Sequence, residues 1–354
     1  MSNRVAHGGT CLAELRALGL QPDDVIDFSA SVSPLGWPIG VQEALARLDL
    51  SAYPDPDYTD LRLRLAEREG VAPEQILVGN GSVEIIHLLA RAALSPSSSA
   101  VIFTPAFGEY GAACCRQTSR VQEVRATEGG SFRWPLAAAL DAVAIAHLVF
   151  LGNPNNPTGI YLSRHEVERL AAACGGLLVI DEAYRSFVDD PWASSDLITT
   201  GRIVLLRSLT KDYGLAGLRV GYAIGPSGLI AHLQADQVSW SVNAAAQAGA
   251  LAALADPDHL DRVRAVVRDA KAYLCRALAD LGLAIVAGTA NFVMVKTGNA
   301  TAIRWRLLGE GMIVRDCTSF GLPDFIRIGV RTRGECELLV AALGGIMEAA
   351  HVDG

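Results

Sequence analysis

The sequence predicts an α/β fold, with a large domain built on a mostly parallel sheet flanked by helices and a smaller α+β domain. From about residue 76 to residue 240, short apolar runs alternate with helical stretches, which is the pattern of a parallel sheet covered by helices. After Pro257 a long charged amphipathic helix leads into short strands between helices, so a second domain of a different type is expected. A chain of 354 residues is long enough for two such domains.

The strands of the large domain give the clearest local signals, because each is a short apolar run bounded by turn residues. They are predicted at residues 76–79, 100–103, 147–151, 177–180, 203–206 and 220–224. In the smaller domain, strands are predicted within the segments LAIVAGTANFVMVKTG, GMIVRDC and FIRIGVR.

Composition excludes several classes of protein. The net charge of −8 gives no electrostatic footprint for nucleic acid. The alanine-rich run at 244–255 is too short and too polar to span a bilayer. The N-terminus MSNRVAHGG lacks an apolar signal core, so a cytoplasmic protein without membrane contact is expected. The seven cysteines show neither CxxC nor Cys/His spacing, and no metal site is predicted.

The segment SLTKDYGLAGLRVGY, residues 208 to 222, is the most informative motif. It places Lys211 between Ser208 and Arg219 in a glycine-punctuated, otherwise apolar stretch. A lysine amine can bond covalently to an aldehyde cofactor, and a guanidinium with a hydroxyl can hold a phosphate. Pyridoxal phosphate needs both features. The alternative is that Lys211 is an ordinary solvated loop lysine.

An acidic residue follows the predicted strand 177–180. Asp181 is therefore expected at the carboxyl edge of a parallel sheet, where ligands of open α/β folds bind. There its carboxylate would pair with the pyridine nitrogen, and Tyr184 would donate to the 3-oxygen of the same ring. The alternative for Asp181 is a helix N-cap, which is common after a strand.

Two further motifs follow strands. The rigid loop NPNNPTG supplies Asn156, whose amide would bond the ring 3-oxygen opposite Tyr184, unless it serves only the turn. In VIFTPAFGEY, Phe107 is suited to stack on a flat aromatic ring, although a lone aromatic is more often part of the core.

The motif ILVGNGSVEII predicts a strand, a glycine-rich turn and then a helix. The backbone amides of Gly81, Ser82 and Val83 would point from the helix start at an anion. They would form the second half of a phosphate cup with Ser208 and Arg219.

In order and spacing, these motifs resemble the aspartate aminotransferase superfamily, which is fold type I of the pyridoxal phosphate enzymes. The resemblance covers essentially the whole chain. It rests on Gly81–Ser82, Phe107, Asn156, Asp181, Tyr184, Ser208, Lys211 and Arg219. It implies that Lys211 carries the Schiff base. It also implies that residues 1–45 join the small domain, that 46–256 form the cofactor-binding domain, and that 257–354 form the small C-terminal domain.

The resemblance extends to residues around the expected substrate. Arg327 matches the arginine that clamps a substrate α-carboxylate, with a surface arginine on an edge strand as the alternative. Arg315 resembles the position at which histidinol-phosphate aminotransferases bind the phosphate of the substrate. Tyr53 resembles a tyrosine that reaches the cofactor phosphate of the neighbouring subunit, which implies a homodimer with composite sites. Its alternative is a turn aromatic between prolines.

Four segments narrow the resemblance to the L-threonine-O-3-phosphate decarboxylases of cobalamin synthesis. They are HGGT at 7–10, DFSASVSPLGWP at 27–38, VRDCTSFGL at 314–322 and IRIGVRTR at 326–333. His7, Ser33 and Arg315 would then surround the phosphate of a phosphorylated amino acid. Asparagine is usual in that group where Ser33 stands, and frequent where Thr10 stands.

Decarboxylation of L-threonine O-3-phosphate or a close analogue is therefore the predicted reaction. The alternative is an aminotransferase of the histidinol-phosphate type, which has the same core motifs. A third class is the aminotransferase-like sensor of a transcription regulator. It is disfavoured because only about 26 residues precede DFSAS, too few for a winged helix.

Overall fold

The computed structural model describes residues 5–352, which form thirteen β-strands and thirteen α-helices. The strands are β1 (Ile26–Asp27), β2 (Ile76–Asn80), β3 (Ala100–Thr104), β4 (Val121–Arg125), β5 (Leu148–Gly152), β6 (Leu177–Asp181), β7 (Ile203–Ser208), β8 (Val220–Ile224), β9 (Ala284–Val286), β10 (Phe292–Lys296), β11 (Met312–Ile313), β12 (Arg315–Asp316) and β13 (Phe325–Gly329). The helices are α1 (Leu12–Ala17), α2 (Ile39–Ala46), α3 (Thr59–Glu69), α4 (Gly81–Ala93), α5 (Gly108–Cys115), α6 (Leu136–Ala144), α7 (Arg164–Ala173), α8 (Leu209–Asp212), α9 (Ser227–Ala235), α10 (Ala244–Leu254), α11 (His259–Asp280), α12 (Ala300–Gly309) and α13 (Arg333–Val352).

A seven-stranded sheet forms the centre of the molecule, in the order β2-β8-β7-β6-β5-β3-β4. Only β8 runs antiparallel to its neighbours, so the predicted, mostly parallel sheet is confirmed. All six strands predicted for this sheet are present. The seventh, β4, was not predicted because it is an edge strand with the sequence VQEVR, of which only Val124 is buried.

Both faces of the seven-stranded sheet are covered. Along β5, Val149 and Leu151 pack into one apolar cluster, and Leu148 and Phe150 pack into another. Successive side chains of a strand point to opposite faces, so a strand buried on both faces reads as a continuous apolar run. This is why β5 could be recognised from the sequence.

A smaller antiparallel sheet of four strands lies in the C-terminal part, in the order β12-β13-β10-β9. The long helix α11 and the C-terminal helix α13 pack against its core. Near the N-terminus, β1 pairs in parallel with β11, so that Ile26 lies opposite Met312. The assignment of residues 1–45 to the small domain and the division at residues 45 and 256 stay predictions, and residues 1–4 lie outside the described residues.

Within residues 5–352, no helix has both the length and the apolar character needed to cross a membrane.

A buried ion pair lies beneath the ends of β6 and β7. Arg207 Nη1 is 3.0 Å from Glu182 Oε2, and the Glu182 side chain is fully buried. Ser194 Oγ donates to the same carboxylate oxygen at 2.9 Å. Removing one partner of such a pair leaves an uncompensated buried charge. Glu182 directly follows Asp181, the last residue of β6, and Arg207 directly precedes Ser208, the last residue of β7. The ion pair therefore holds the ends of these two strands together.

We expect Glu182→Gln to lower the free energy of unfolding by about 3 kcal/mol, because Arg207 would lose its nearer buried counter-charge and keep only Glu69, whose Oε2 is 3.5 Å away. Urea unfolding followed by circular dichroism measures this. The matched control is Asp189→Asn, which removes a pair with Arg268 whose side chains are 79% and 66% exposed. The control should cost less than about 1 kcal/mol. Equal losses in the two variants would contradict the prediction.

Candidate active site

A cavity of about 1250 Å³ opens at the carboxyl edge of the large sheet and extends to the small sheet. Most of the residues singled out in the sequence line it. They are His7, Gly81, Ser82, Val83, Phe107, Asn156, Asp181, Tyr184, Ser208, Lys211, Arg219, Arg315 and Arg327. Residues that are far apart in the chain are therefore brought together because their strands end at one edge.

Lys211 lies on the one-turn helix α8, which directly follows β7. Its backbone carbonyl accepts a hydrogen bond of 2.8 Å from the amide of Ser33. Its side chain is half-buried in the cavity wall. No group within residues 5–352 forms a hydrogen bond with Lys211 Nζ, so the amine is available to a ligand.

Asp181 is the last residue of β6 and lies in the cavity wall. Its Oδ2 accepts a hydrogen bond of 2.8 Å from Tyr110 Oη, and its Oδ1 accepts one of 2.9 Å from the amide of Ala183. Burial raises the pKa of Asp181, and these two hydrogen bonds and the charge of Lys211 oppose that rise. A desolvated carboxylate in this position suits a cationic ring nitrogen.

An anion cradle is formed by the start of α4 and the segment after β7. The first N–H groups of a helix have no partner within it, and they attract negative charge. Arg219 lies so close that a Cβ added to Gly81 would be 2.6 Å from its Nη2. Gly81 also has φ +69°, so the position favours glycine on two grounds. The buried hydroxyls of Ser208 and Thr210, 2.6 Å apart, complete the cradle.

Three side chains are placed to surround a flat ring. Phe107 directly precedes α5 and contacts Tyr110 edge-on at 5.7 Å between ring centroids. Tyr184 is buried and packs edge-on against Phe292 at 5.0 Å. Asn156 accepts a hydrogen bond at Oδ1 from Arg327, so its amide nitrogen is the atom left to donate.

Arg315 and Arg327 lie opposite each other on β12 and β13, and both are buried. Arg315 donates to the carbonyl of Ala6 at 2.9 Å and to Ser319 Oγ at 2.6 Å. Arg327 donates to the carbonyl of Ser29 at 2.7 Å. Burial, and then the charge of Arg327, lowers the pKa of Arg315. Neither guanidinium forms an ion pair with an acidic residue in the described part of the chain.

Two predicted residues lie outside the cavity lining. Ser33 is buried, and its hydroxyl has no hydrogen-bond partner in the described structure. Its neighbours in the segment, Ser29 and Ser31, line the cavity instead. Tyr53 is 82% exposed and contacts Trp240 at 4.9 Å between centroids, with the two rings tilted by 31°. Its predicted contact is with a neighbouring subunit and stays a prediction.

The sequence reasoning missed several residues of the cavity wall. They are Ser29, Ser31, Glu109, Tyr110, Thr210 and Ser319. Tyr110 could have been found from its position one helical turn after Phe107, and Thr210 from its position beside Lys211. Glu109 and Ser319 carry no comparable local signal, because only the fold brings them to the cavity. In the described residues there is also no cluster of side chains arranged to hold a metal ion.

The fold and the site define a pyridoxal phosphate-dependent enzyme of fold type I. The model of the family "Aminotransferase class I and II" matches residues 23–343, and the chain belongs to that family. The predicted family, fold class and cofactor are thereby confirmed.

Three relatives illustrate the similarity. The chain is 38% identical to a histidinol-phosphate aminotransferase of Symbiobacterium thermophilum, over 93% of each protein. It is 34% identical to a threonine-phosphate decarboxylase of Salmonella typhimurium, over 97% of this chain and 96% of that protein. The structure of histidinol-phosphate aminotransferase from Sinorhizobium meliloti in complex with pyridoxal 5′-phosphate superimposes with a TM-score of 0.86 and 28% identity, covering 96% of this chain and 94% of that one.

The residues present fit the cofactor. The cradle at Gly81 and Arg219 has space only for a residue without a side chain, as a close approach of backbone to phosphate requires. The buried carboxylate of Asp181 forms no salt bridge within the described residues, and it suits a pyridinium nitrogen. Lys211 Nζ lies free in the same cavity.

We expect Gly81→Ala to weaken the binding of pyridoxal phosphate at least about 10-fold, because the added methyl would displace Arg219 and strain the helix start. A fluorescence titration of the apoenzyme measures the dissociation constant. Gly70→Ala is the matched control, since Gly70 has φ +68° but nothing within 4 Å of an added Cβ. A comparable loss of affinity in the control would show that backbone strain alone is responsible.

Asp212 follows Lys211 and is buried; Ser186 Oγ donates to it at 2.7 Å. Burial raises its pKa to about 6, against the opposing charges of Arg68 and Arg207. A carboxyl group with a raised folded-state pKa stabilises the fold fully below its unfolded-state value, and this contribution is lost as pH rises through about 6.

Asp212→Asn removes this titration. We therefore expect the free energy of unfolding of the variant, relative to the natural protein, to rise by about 2.5 kcal/mol between pH 4 and pH 8. Urea unfolding curves at several pH values measure the difference. A difference that is constant across this range would contradict the prediction.

Proposed function

We propose that the protein catalyses a pyridoxal phosphate-dependent reaction on an amino compound that carries a phosphate ester. The observation that carries the proposal is the pair of buried arginines, Arg315 and Arg327, which have no acidic partner in the described part of the chain. Buried charges are normally paired. An anionic substrate would supply the missing partners.

Pyridoxal phosphate, when bound, supplies an electron sink for the bond that breaks at the substrate α-carbon. Lys211 is the amine proposed to hold the cofactor and to move a proton at that carbon. Asp181 would keep the ring nitrogen protonated. Tyr184 and Asn156 would hold the 3-oxygen, and Phe107 would cover the ring face.

The phosphate group of the cofactor would lie in the cradle. The amides at Gly81, Ser82 and Val83 would donate to it from the helix start. Ser208 and Arg219 would donate from the opposite side, and a guanidinium can do so with two parallel hydrogen bonds.

The substrate would lie against the small sheet. Arg327 would bind the carboxylate of glutamate or of L-threonine O-3-phosphate, because it lies next to Asn156 and so next to the proposed ring position. Histidinol phosphate itself has no carboxylate. Arg315, on the neighbouring strand, would bind the phosphate ester of the substrate, with His7 beside it. This arrangement orients the α-carbon over the ring, which lowers the entropic cost of the reaction.

Transamination of the histidinol-phosphate type is the reaction that the comparisons favour, since this name is the more frequent among the relatives. From the sequence motifs alone it is the alternative to decarboxylation. The second candidate is decarboxylation of L-threonine O-3-phosphate, favoured by the relative from Salmonella typhimurium. It is also favoured by the position of the decarboxylase-like segments, because His7, Thr10 and Arg315 all line one cavity.

A homodimer is part of the proposal. Tyr53 and Trp240 contact each other through their rings, and Asn80 of the cavity wall donates to the carbonyl of Ser241, one residue after Trp240. The exposed aromatic pair therefore lies near the cavity mouth, where a second copy of the chain would bring its own Tyr53 within reach of the cofactor phosphate. Sedimentation equilibrium of the holoenzyme tests this.

Mass spectrometry of reaction products distinguishes the two candidates. The holoenzyme is given histidinol phosphate or L-threonine O-3-phosphate, each with and without 2-oxoglutarate. Transamination predicts glutamate from histidinol phosphate only when 2-oxoglutarate is present. Decarboxylation predicts loss of CO2 from L-threonine O-3-phosphate regardless of 2-oxoglutarate. If neither substrate is converted, the proposed function is wrong.

We expect Arg315→Gln to raise the KM for the phosphorylated substrate roughly 10- to 100-fold, because a charge-assisted hydrogen bond to the phosphate is lost. The KM for the unphosphorylated counterpart should stay the same. Arg262→Gln is the matched control, since Arg262 pairs with Asp256 and does not line this cavity. An unchanged KM in Arg315→Gln would exclude Arg315 from phosphate binding.

A further inference from the structure

A carboxylate and two imidazoles form a cluster at the cavity wall. Glu109, in the first turn of α5, is 2.8 Å from His7 Nε2 through one oxygen and 3.0 Å from His87 Nε2 through the other. His7 precedes α1, and His87 belongs to α4, the helix whose start forms the phosphate cradle. The Glu109 side chain is only 12% exposed. One carboxylate therefore connects three separate segments of the chain.

The chemistry of the cluster fixes which atoms carry protons. An ionised carboxylate only accepts hydrogen bonds, so each imidazole must donate through its Nε2. In His7 this leaves Nδ1 as the ring nitrogen available to a ligand, since no other group within residues 5–352 forms a hydrogen bond with the ring. Because phosphate oxygens accept hydrogen bonds, His7 would bind a phosphate ester as the imidazolium, in which Nδ1 also carries a proton. A carboxylate that bonds one ring nitrogen of a histidine fixes the orientation of the ring and stabilises its protonated, doubly donating form.

The cluster lies at the end of the cavity that contains Arg315. Arg315 donates to the carbonyl of Ala6, the residue before His7. The His7 ring also contacts Phe107 at 5.7 Å between centroids. His7 is thus held between the proposed ring-stacking residue and the proposed phosphate-binding arginine.

The charge of Glu109 would be unfavourable here unless it served another group. The cavity wall also contains Arg315 and Arg327, and a carboxylate among them would repel an anionic substrate. Glu109 does not pair with either arginine; both of its oxygens are occupied by imidazoles. The negative charge is therefore used to hold His7 and His87.

We propose that Glu109 is a positioning residue that sets substrate specificity: it holds His7 so that the free side of the ring meets the phosphate ester of the substrate. His87 fixes the second oxygen of Glu109 and so holds the carboxylate in place. This inference rests on the proposed function, because it requires a phosphorylated substrate. Glu109 acts only through His7, and this separates it from a residue that binds substrate itself.

The test uses the holoenzyme and whichever phosphorylated substrate the product assay has shown to be converted, together with its unphosphorylated counterpart. Inorganic phosphate serves as a competitive inhibitor. For Glu109→Gln we expect a KM about 10-fold higher for the phosphorylated substrate and a similar rise in the inhibition constant of phosphate. The kcat should stay within about 2-fold, and the dissociation constant of pyridoxal phosphate should not change.

A double-mutant cycle separates positioning from a general structural role. Because Glu109 acts through His7, the variant with both His7→Ala and Glu109→Gln should have the same KM as His7→Ala alone. Glu109→Asp, which keeps the carboxylate on a shorter side chain, should recover part of the lost affinity, and it serves as the second variant if Glu109→Gln does not fold. Glu168→Gln, on the exposed face of α7, is the matched control and should leave all constants unchanged.

Three results would overturn the inference: an unchanged KM in Glu109→Gln, an equal loss with the unphosphorylated counterpart, or a full further loss when Glu109→Gln is added to His7→Ala. The natural protein tests the proposed function separately. If it does not prefer the phosphorylated substrate, the proposed function fails. If it does and Glu109→Gln behaves like the natural protein, only the role of Glu109 is wrong.

Discussion

The length of one connection determines how the cofactor cradle is assembled. Between β7 and β8, residues 209–219 contain only the one-turn helix α8 and a 3₁₀ turn. A parallel strand would require a longer crossover, usually with a full helix. β8 therefore returns antiparallel, and Ser208 at the end of β7 lies opposite Gly221 near the start of β8. Because β2 is in turn antiparallel to β8, Asn80 lies opposite Val220.

The cradle follows directly from this register. Arg219 precedes Val220, and Gly81 follows Asn80, so the guanidinium and the start of α4 meet at one point. Lys211 lies within the same short connection, close to the end of β6. Residues separated by more than a hundred positions thus form one anion site without any long loop.

How much of this could be predicted from the sequence depends on whether a residue's role is set by its own element. Asp181 was predicted because a buried strand that ends in an acid places that acid at the ligand edge. Tyr110 was missed because its partner is Asp181, which lies far away in the chain. The edge strand β4 was missed because only one of its residues, Val124, is buried.

Within the segment 27–33, the sequence also does not determine which serine faces the cavity. Its motif predicts Ser33 beside the substrate phosphate. The structure uses the amide of Ser33 to bond the carbonyl of Lys211, and it brings Ser29 and Ser31 to the cavity. Adjacent positions in an irregular segment differ in direction, and tertiary contacts, not local preference, select which ones face the ligand.

The acidic side chains of the cavity wall have hydrogen-bond partners that compensate their charge, whereas its two buried arginines have no acidic partner. Asp181 and Glu109 are both satisfied by neighbouring side chains. Arg315 and Arg327 are desolvated without an acidic partner in the described chain, and this costs free energy in the unliganded protein. A dianionic ligand that reaches both guanidiniums would recover that cost, so its binding would stabilise the folded protein. Both arginines lie on the small sheet, and Arg327 also donates to Asn156 in the loop after β5, so a ligand bound there would lie beside the contact between the small sheet and that loop.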